Sequence, residues 1–473
     1  MKKIYILTVL SASLLFSACS NDLNTLPSTS VPTANAIESI DEYQKALNGI
    51  FQRMSYSQYL HAGSFGFYAD CKGGDTKIII NSNQISDITN FALNKQHHQA
   101  KGFYQWFSLT SSWCNMALEG GEKLKDQKGY AQITGQLYAS RALLHFDMAR
   151  VYAQIPTVNG IDINKPNSGI VINDRVFNVF DKFTRSTLKE TYDFIISDLE
   201  KAISLLPEKY IGGGINKYAA QALLARVQLY YGNWEGALKN AEVVISKSEA
   251  KLYTPENYAK AWTEQDTNES LFEVYTTDNI KNNPQRTSLG GFTSINGYAE
   301  VAINDGLLSI FNNMEDSTDI RKNMIVKEVH PRNGATGWFT TKYKGRNDAS
   351  INKMYVNNPK IIRLAEVYYI ASEAALKLGQ QDKADKYYNE LRKTRFESGF
   401  VAKQNITIDD ILAERRIELF CENHRLFDLV RNNKEVPSWN TAEMRKPNAF
   451  DIICPIPQSE TDVNPGLVQN PGF

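Results

Sequence analysis

Four groups of side chains have the types and spacing to grip a polar ligand without reacting with it. Tyr68 stands with Asp70 and Asp75, Tyr104 with Trp106, Phe292 with Asn296 and Tyr298, and Trp338 with Tyr343 and Arg346. An aromatic ring offers a flat apolar face, while nearby carboxylates, amides and guanidinium groups fix the polar substituents of a sugar or peptide. One face of ~100 Å² contributes roughly 2.5 kcal/mol at ~25 cal/mol per Å². Millimolar affinity needs about 4 kcal/mol, so two faces and a few hydrogen bonds suffice. The competing role for each residue is packing inside a loop core. That alternative is strongest for Trp106, which lies on a helical stretch beside Phe103 and Phe107.

Catalytic signatures are missing. The sequence contains no G-x-S-x-G, H-E-x-x-H, Walker or G-x-G-x-x-G motif. His97 and His98 are adjacent, so their side chains are expected to diverge, and no third ligand is close in sequence. Gly212-Gly213-Gly214 follows no strand and reads as a flexible turn. Asp and Glu are abundant, but no spacing singles out a carboxylate pair of the glycosidase kind. The reading is therefore of a binding protein without metal or cofactor, with a glycoside hydrolase as the enzymatic alternative.

Composition narrows the partners. Lys+Arg and Asp+Glu balance at 52 each, and without a basic block the chain has no electrostatic footprint for nucleic acid or an anionic membrane surface. Apolar residues make up 42% of the 473, enough for a sizeable core. Cys71, Cys114, Cys421 and Cys454 lack zinc-like spacing and read as buried thiols or one incidental disulfide.

The elements that must position these residues are helices in pairs. Tyr218–Tyr231 and Trp234–Ser246 keep helical apolar spacing on either side of Gly232-Asn233. A second pair breaks at Gly379, with Ala384, Tyr388 and Leu391 lining its second helix. In both pairs an alanine follows the breaking glycine by five residues (Ala237, Ala384), small enough for close antiparallel approach, as in tetratricopeptide units. Tyr138–Gln154, Thr187–Leu206, Asp41–Met54 and Phe103–Leu124 also read as helices, with a Gly/Ser/Asn-rich stretch at His61–Asn94. Residues 251–358 differ. They are rich in Pro, Asn and Gly, with strands expected at Ser270–Thr276 and Trp338–Lys344 and a turn at Asn333-Gly334. The fold expected is mainly α: helix pairs at about 40–250 and 359–431, a loop-rich ligand-binding lobe at about 251–358 and a closing segment at 432–473.

The N-terminus reads as a secretory signal: Lys2-Lys3, the apolar run Ile4–Phe16, then Ser17-Ala18. Phe16-Ser17-Ala18-Cys19 resembles a bacterial lipobox, which implies cleavage after residue 18, lipid on Cys19 and a tether over 19–39. Several further segments resemble the SusD/RagB family in order: CSNDLNTLP after the lipobox, Arg141-Ala142 opening a helix that ends VYAQIP, the pair at Tyr218–Ile245, Arg363–Arg395, RIELFCENHRLFDLVR at Arg416–Arg431 and the terminal PIPQSETDVNPGLVQNPGF. The resemblance implies a SusD-like α-α superhelix. It further implies an outer-membrane lipoprotein that captures oligosaccharide, or less often peptide, for a SusC-like TonB-dependent barrel, with the helix-pair side toward the barrel. A non-binding structural lid is the alternative. Within the signature, Glu418, Glu422, Arg425 and Leu429 fall on one helical stripe, and Arg425, Asp428 and Arg431 are i,i+3 neighbours, which predicts a partly buried ion-pair network.

Overall fold

The computed structural model describes residues 37–473, except 56–57, 179, 278–285, 315–316 and 351–352. The signal, Cys19 and the tether as far as residue 36 lie outside the described residues. Ten helices carry the scaffold among those described: α1 (Ile40–Met54), α2 (His98–Gly121), α3 (Tyr130–Tyr152), α4 (Leu188–Leu205), α5 (Lys217–Tyr231), α6 (Trp234–Lys247), α7 (Leu364–Lys377), α8 (Gln381–Lys393), α9 (Ile408–Glu418) and α10 (Arg425–Arg431). From α1 to α8 each packs mainly on the next, giving a superhelix of antiparallel pairs. The expected helices are all present; α2 begins five residues earlier than its apolar pattern and α3 eight residues earlier.

Local chemistry sets the ends. Thr187 and Glu190 form a capping box at α4, and Thr407 and Asp410 form another at α9. Gly232 (φ 85°) and Gly379 (φ 72°) adopt the left-handed conformation that closes α5 and α7. Ala237 and Ala384 are fully buried where the paired helices meet.

The strands are short and occur as two-stranded antiparallel pairs. β1 (Thr76–Lys77) joins β3 (Ala302–Ile303), β4 (Ile325–Val329) forms a hairpin with β5 (Thr336–Thr340), and β7 (Val436–Pro437) joins β8 (Met444–Arg445). β2 (Ser270–Glu273) pairs with β6 (Lys360–Arg363), which runs directly into α7 and so ties the loop-rich region to the scaffold. The strand expected at Trp338–Lys344 starts and ends earlier. Past Thr340 the side chains are drawn into the core, Lys342 reaching the Glu418 and Phe420 carbonyls at 2.9 and 3.0 Å.

The signature segment is not one helix. α9 stops at Glu418 and α10 starts at Arg425, with Cys421 (φ 60°) and Asn423 (φ 66°) left-handed between them. Asp70 explains the break: its carboxylate accepts the Cys421 and Asn423 N–H groups at 3.1 and 2.6 Å, and the Asn423 side chain accepts the Ala69 N–H at 2.7 Å. The expected single stripe is therefore wrong, although the Asp428–Arg431 pair stands at 2.8 Å.

The ion network is present and deeper than expected. Glu418 is fully buried and meets Arg363 at 2.7 Å, Arg395 at 2.9 Å and Arg321 at 3.4 Å. Glu269 joins Arg363 and Arg395 at 2.5 and 2.9 Å, and Glu422 joins Lys342 and Arg363 at 2.6 and 2.8 Å. Glu269, Arg321 and Lys342 belong to the loop-rich region; Arg363, Arg395, Glu418 and Glu422 belong to the scaffold. The hub thus fastens one to the other. Burial pushes the Glu418 carboxyl up, but Arg395, Arg363 and Arg321 together hold it well below the usual glutamate range.

Candidate functional site

A small second apolar cluster lies under one rim of the loop-rich region. Ile295, Ala299, Ala302 and Phe339 form it, with Ile79 and Ile80 packed against them. Two buried or half-buried carboxylates hold the loops above it. Glu300, fully buried, accepts the N–H groups of Ser82 (2.7 Å), Gln84 (3.1 Å) and Ile85 (2.5 Å) and the Ser82 hydroxyl (2.7 Å). Glu328 accepts the Ile295 N–H at 2.8 Å and the Ser294 hydroxyl at 3.0 Å, and pairs with Lys344. The Ile79 N–H donates to the Ala299 carbonyl at 3.1 Å, so the two loops are one surface.

That surface is polar and carries one aromatic, Tyr298. Tyr298 is half-buried, its ring 5.9 Å from Phe292 and 5.5 Å from the exposed Arg286 guanidinium. Asn296 is exposed two residues before it, and on the loop held by Glu300 Asn81 and Asn83 are exposed and Gln84 is half-buried. Amides and a guanidinium arrayed around an aromatic edge suit a ligand with many hydroxyl groups. Because four donors converge on Glu300, Glu300→Ala leaves them without their acceptor, the Ile85 N–H in a buried position. The expected cost is about 2–4 kcal/mol of stability, together with loss of order in loop 82–85, measurable by denaturant unfolding and hydrogen exchange.

The other sequence-derived candidates divide by burial. Asp70 holds the signature break, and burial raises its carboxyl well above the usual range. Asp75 is buried against Arg416 at 2.7 Å. Tyr68 is fully buried; Tyr104 is buried edge-on to Tyr152 at 5.2 Å; Phe292 is buried against Phe67 and Tyr298; Tyr343 donates to the Cys421 carbonyl at 2.8 Å from a buried position. Asp70, Asp75, Tyr104, Phe292 and Tyr343 are therefore structural here and cannot touch a ligand without rearrangement. Arg346 is half-buried, bonded to Asp348 and to the Thr276 carbonyl at 2.8 Å. Trp106 sits on the outer face of α2, with the Arg53 guanidinium 4.6 Å from its ring. Trp338 is half-buried, and strand alternation puts it on the face of the hairpin opposite Phe339, away from the second cluster. Of the four sequence groups, only Phe292, Asn296 and Tyr298 stay together, with Phe292 as the buried support.

Glu300, Glu328, Arg286 and the Asn81–Gln84 loop were not singled out from sequence. The one available signal was Glu300 itself, a lone charge in the apolar run Tyr298–Ile303. His97 and His98 also differ from expectation. Their rings lie 4.5 Å apart, because His97 is fixed by Asp87 at 2.7 Å and by the Gln99 N–H at 3.1 Å while capping α2. Gly213 (φ 62°) makes the expected turn, packed on the Tyr275 ring. All four described cysteines are buried free thiols. Among the described residues no group of three or more His, Cys, Asp or Glu is arranged to hold a metal, and no helix is long and apolar enough to cross a membrane.

Comparison with known proteins agrees with this architecture. Residues 174–473 match the model of the SusD family, and residues 23–229 match a family described as starch-binding associating with outer membrane. SusD-like protein P38 of Formosa agariphila is 24% identical, covering 76% of each chain. A solved SusD superfamily structure from Bacteroides vulgatus is 28% identical, covers 92% of this chain and 100% of its own, and superposes with a TM-score of 0.81. A structure titled laminarin binding SusD-like protein has a TM-score of 0.72 at 20% identity, covering 92% of this chain and 99% of its own, a likeness of fold.

Proposed function

The chain belongs to the SusD family, and from that footing we propose that it binds oligosaccharide at the cell surface for uptake. It is anchored to the outer membrane by lipid on Cys19 and hands its ligand to a SusC-like TonB-dependent barrel. Peptide is the second ligand class to test. Tethering to the channel mouth raises the effective concentration of captured ligand, so modest affinity suffices.

The observation that carries the reading is the pinned rim around Tyr298. Glu300 and Glu328 spend hydrogen bonds on the backbone of both loops, which fixes Asn81, Asn83, Gln84 and Asn296 before a ligand arrives. A preorganised polar surface loses less entropy on binding. Among the described residues of that rim, Glu300 and Glu328 are both engaged with protein groups rather than paired across a gap in the way glycoside hydrolysis requires.

Tyr298→Ala tests the site. It removes the ring that supports Arg286, worth about 0.5–1 kcal/mol or more, and one hydroxyl, worth about 0.5–1.5 kcal/mol. Glycan affinity should weaken about tenfold, as ~1.4 kcal/mol demands, with the thermal midpoint nearly unchanged. Unaltered binding by calorimetry would remove Tyr298 from the site.

A further inference from the structure

Trp439 and Asn90 form a fixed aromatic–amide pair outside the rim that carries Tyr298. The Trp439 indole N–H donates to the Asn90 Oδ1 at 2.9 Å. Trp439 is half-buried and Asn90 exposed. An indole N–H can only donate, so it settles the orientation of the amide: Oδ1 takes the indole, and the Nδ2 group keeps its two donors for another partner. Among the described residues nothing accepts from that Nδ2, and no aromatic ring or cation stacks on Trp439. A sugar ring needs such a combination, a flat apolar face beside amide donors.

Both partners are aimed by the backbone beneath them. Phe91, next to Asn90, is left-handed at φ 55°, a conformation that a bulky side chain keeps only where its surroundings impose it. Here the surroundings are cationic: the Arg445 guanidinium lies 4.0 Å from the Phe91 ring and the Lys72 ammonium 5.0 Å. The Asn90 N–H closes the helical turn Ser86–Thr89 on the Ser86 carbonyl at 2.9 Å, which leaves its side chain at an exposed corner. Trp439 lies between β7 and β8. That hairpin is seated on Gly74, where an added Cβ would stand 2.7 Å from the Pro437 carbonyl oxygen, and Arg445 of β8 is fixed by Asp451 at 2.8 Å. Strained backbone of this kind gathers where a side chain must be held ready for a ligand.

The pair continues the loop that the rim pins. Glu300 holds the N–H groups of Gln84 and Ile85. The helical turn then carries the chain from Ile85 to Asn90, about 8 Å at ~1.5 Å per residue. With the Glu300 side chain and the short step back to Tyr298 added, Asn90 lies within roughly 20 Å of Tyr298. An oligosaccharide of several sugar units covers that distance; a disaccharide does not.

We propose that Trp439 and Asn90 are a second sugar subsite, where a more distant unit of the oligosaccharide held at Tyr298 lays its apolar face on the indole while the Asn90 Nδ2 donates to its hydroxyl oxygens. This rests on the oligosaccharide reading above and adds to it a selection for chain length, because only a long ligand engages both subsites at once.

The test is affinity against ligand length. A glycan array of oligosaccharides identifies the series that the wild-type protein binds, and calorimetry then follows that series from disaccharide to heptasaccharide. Wild-type affinity should rise with length. Trp439→Ala should lose about tenfold for the longest members, the worth of one aromatic face, and nothing for the shortest. Asn90→Ala, at an exposed position, should lose severalfold over the same lengths, and Trp439→Phe, which keeps a ring face, should restore part of the loss. Tyr298→Ala should weaken every length. Wild-type affinities for Trp439→Ala at all lengths, or an equal loss at all lengths, overturn the second subsite and leave the capture reading standing. An array silent toward the wild type overturns both.

Discussion

Glu418→Ala is expected to lower stability by about 3–5 kcal/mol. Removing one partner of a buried ion cluster leaves its counter-charges unpaired, and that cost exceeds the net worth of the pairing itself. Here three guanidinium groups, Arg363, Arg395 and Arg321, converge on one carboxylate. Glu269 retains two of them and Asp319 retains the third at 2.6 Å, so the cluster becomes over-charged rather than empty. Single-domain proteins are stable by only about 5–15 kcal/mol, so the loss is a large fraction. Glu418→Gln should cost less, because it keeps the shape and one acceptor. Urea unfolding of both variants measures the difference; a loss below ~1 kcal/mol for the alanine change would show that the hub does not hold the two regions together.

The same carboxylate predicts an acid limit. Its folded pKa is depressed by the three arginines, so its contribution is fully present above the unfolded glutamate value of about 4.3 and fades as pH falls toward the lower folded value. Glu422 and Asp428 are shifted the same way, burial opposing and their arginine partners winning. Stability should therefore fall steeply below about pH 4.3, and less steeply in Glu418→Gln.

The second large effect is on location. Cys19→Ser should move the protein from the membrane pellet to the soluble fraction by about tenfold or more. Each buried methylene of an acyl chain adds ~0.8 kcal/mol, and two or more chains anchor stably, whereas no described helix offers a span. Fractionation with radiolabelled palmitate measures it. A variant that stays in the pellet and still takes up label would remove Cys19 from the lipidation site.

Sequence carried the scaffold well because helical pairs announce themselves locally. Apolar spacing, the breaking glycines and the following Ala237 and Ala384 lie within a few turns of one another, and the capping residues are adjacent to the helices they start. The signature break was hidden for the opposite reason. Neither Cys421 nor Asn423 is a glycine, and the acceptor that makes their left-handed turn affordable is Asp70, about 350 positions earlier. The candidate site was legible only in part. Spacing cannot say whether a loop aromatic faces solvent or core: Tyr298 and Phe292 are six residues apart, yet one reaches the rim and the other supports it from below. Similarly, Asp70 and Asp75 look like ligand contacts until their backbone and arginine partners are known.

The most direct test of the central claim is isothermal titration of the protein lacking residues 1–19 against oligosaccharides and peptides, with the mixtures checked afterwards for cleavage. Glycan capture predicts saturable heat for at least one oligosaccharide in the micromolar to millimolar range, weakened by Tyr298→Ala, and the sugar recovered intact. Silence across the glycans, or a cleaved product, would contradict it.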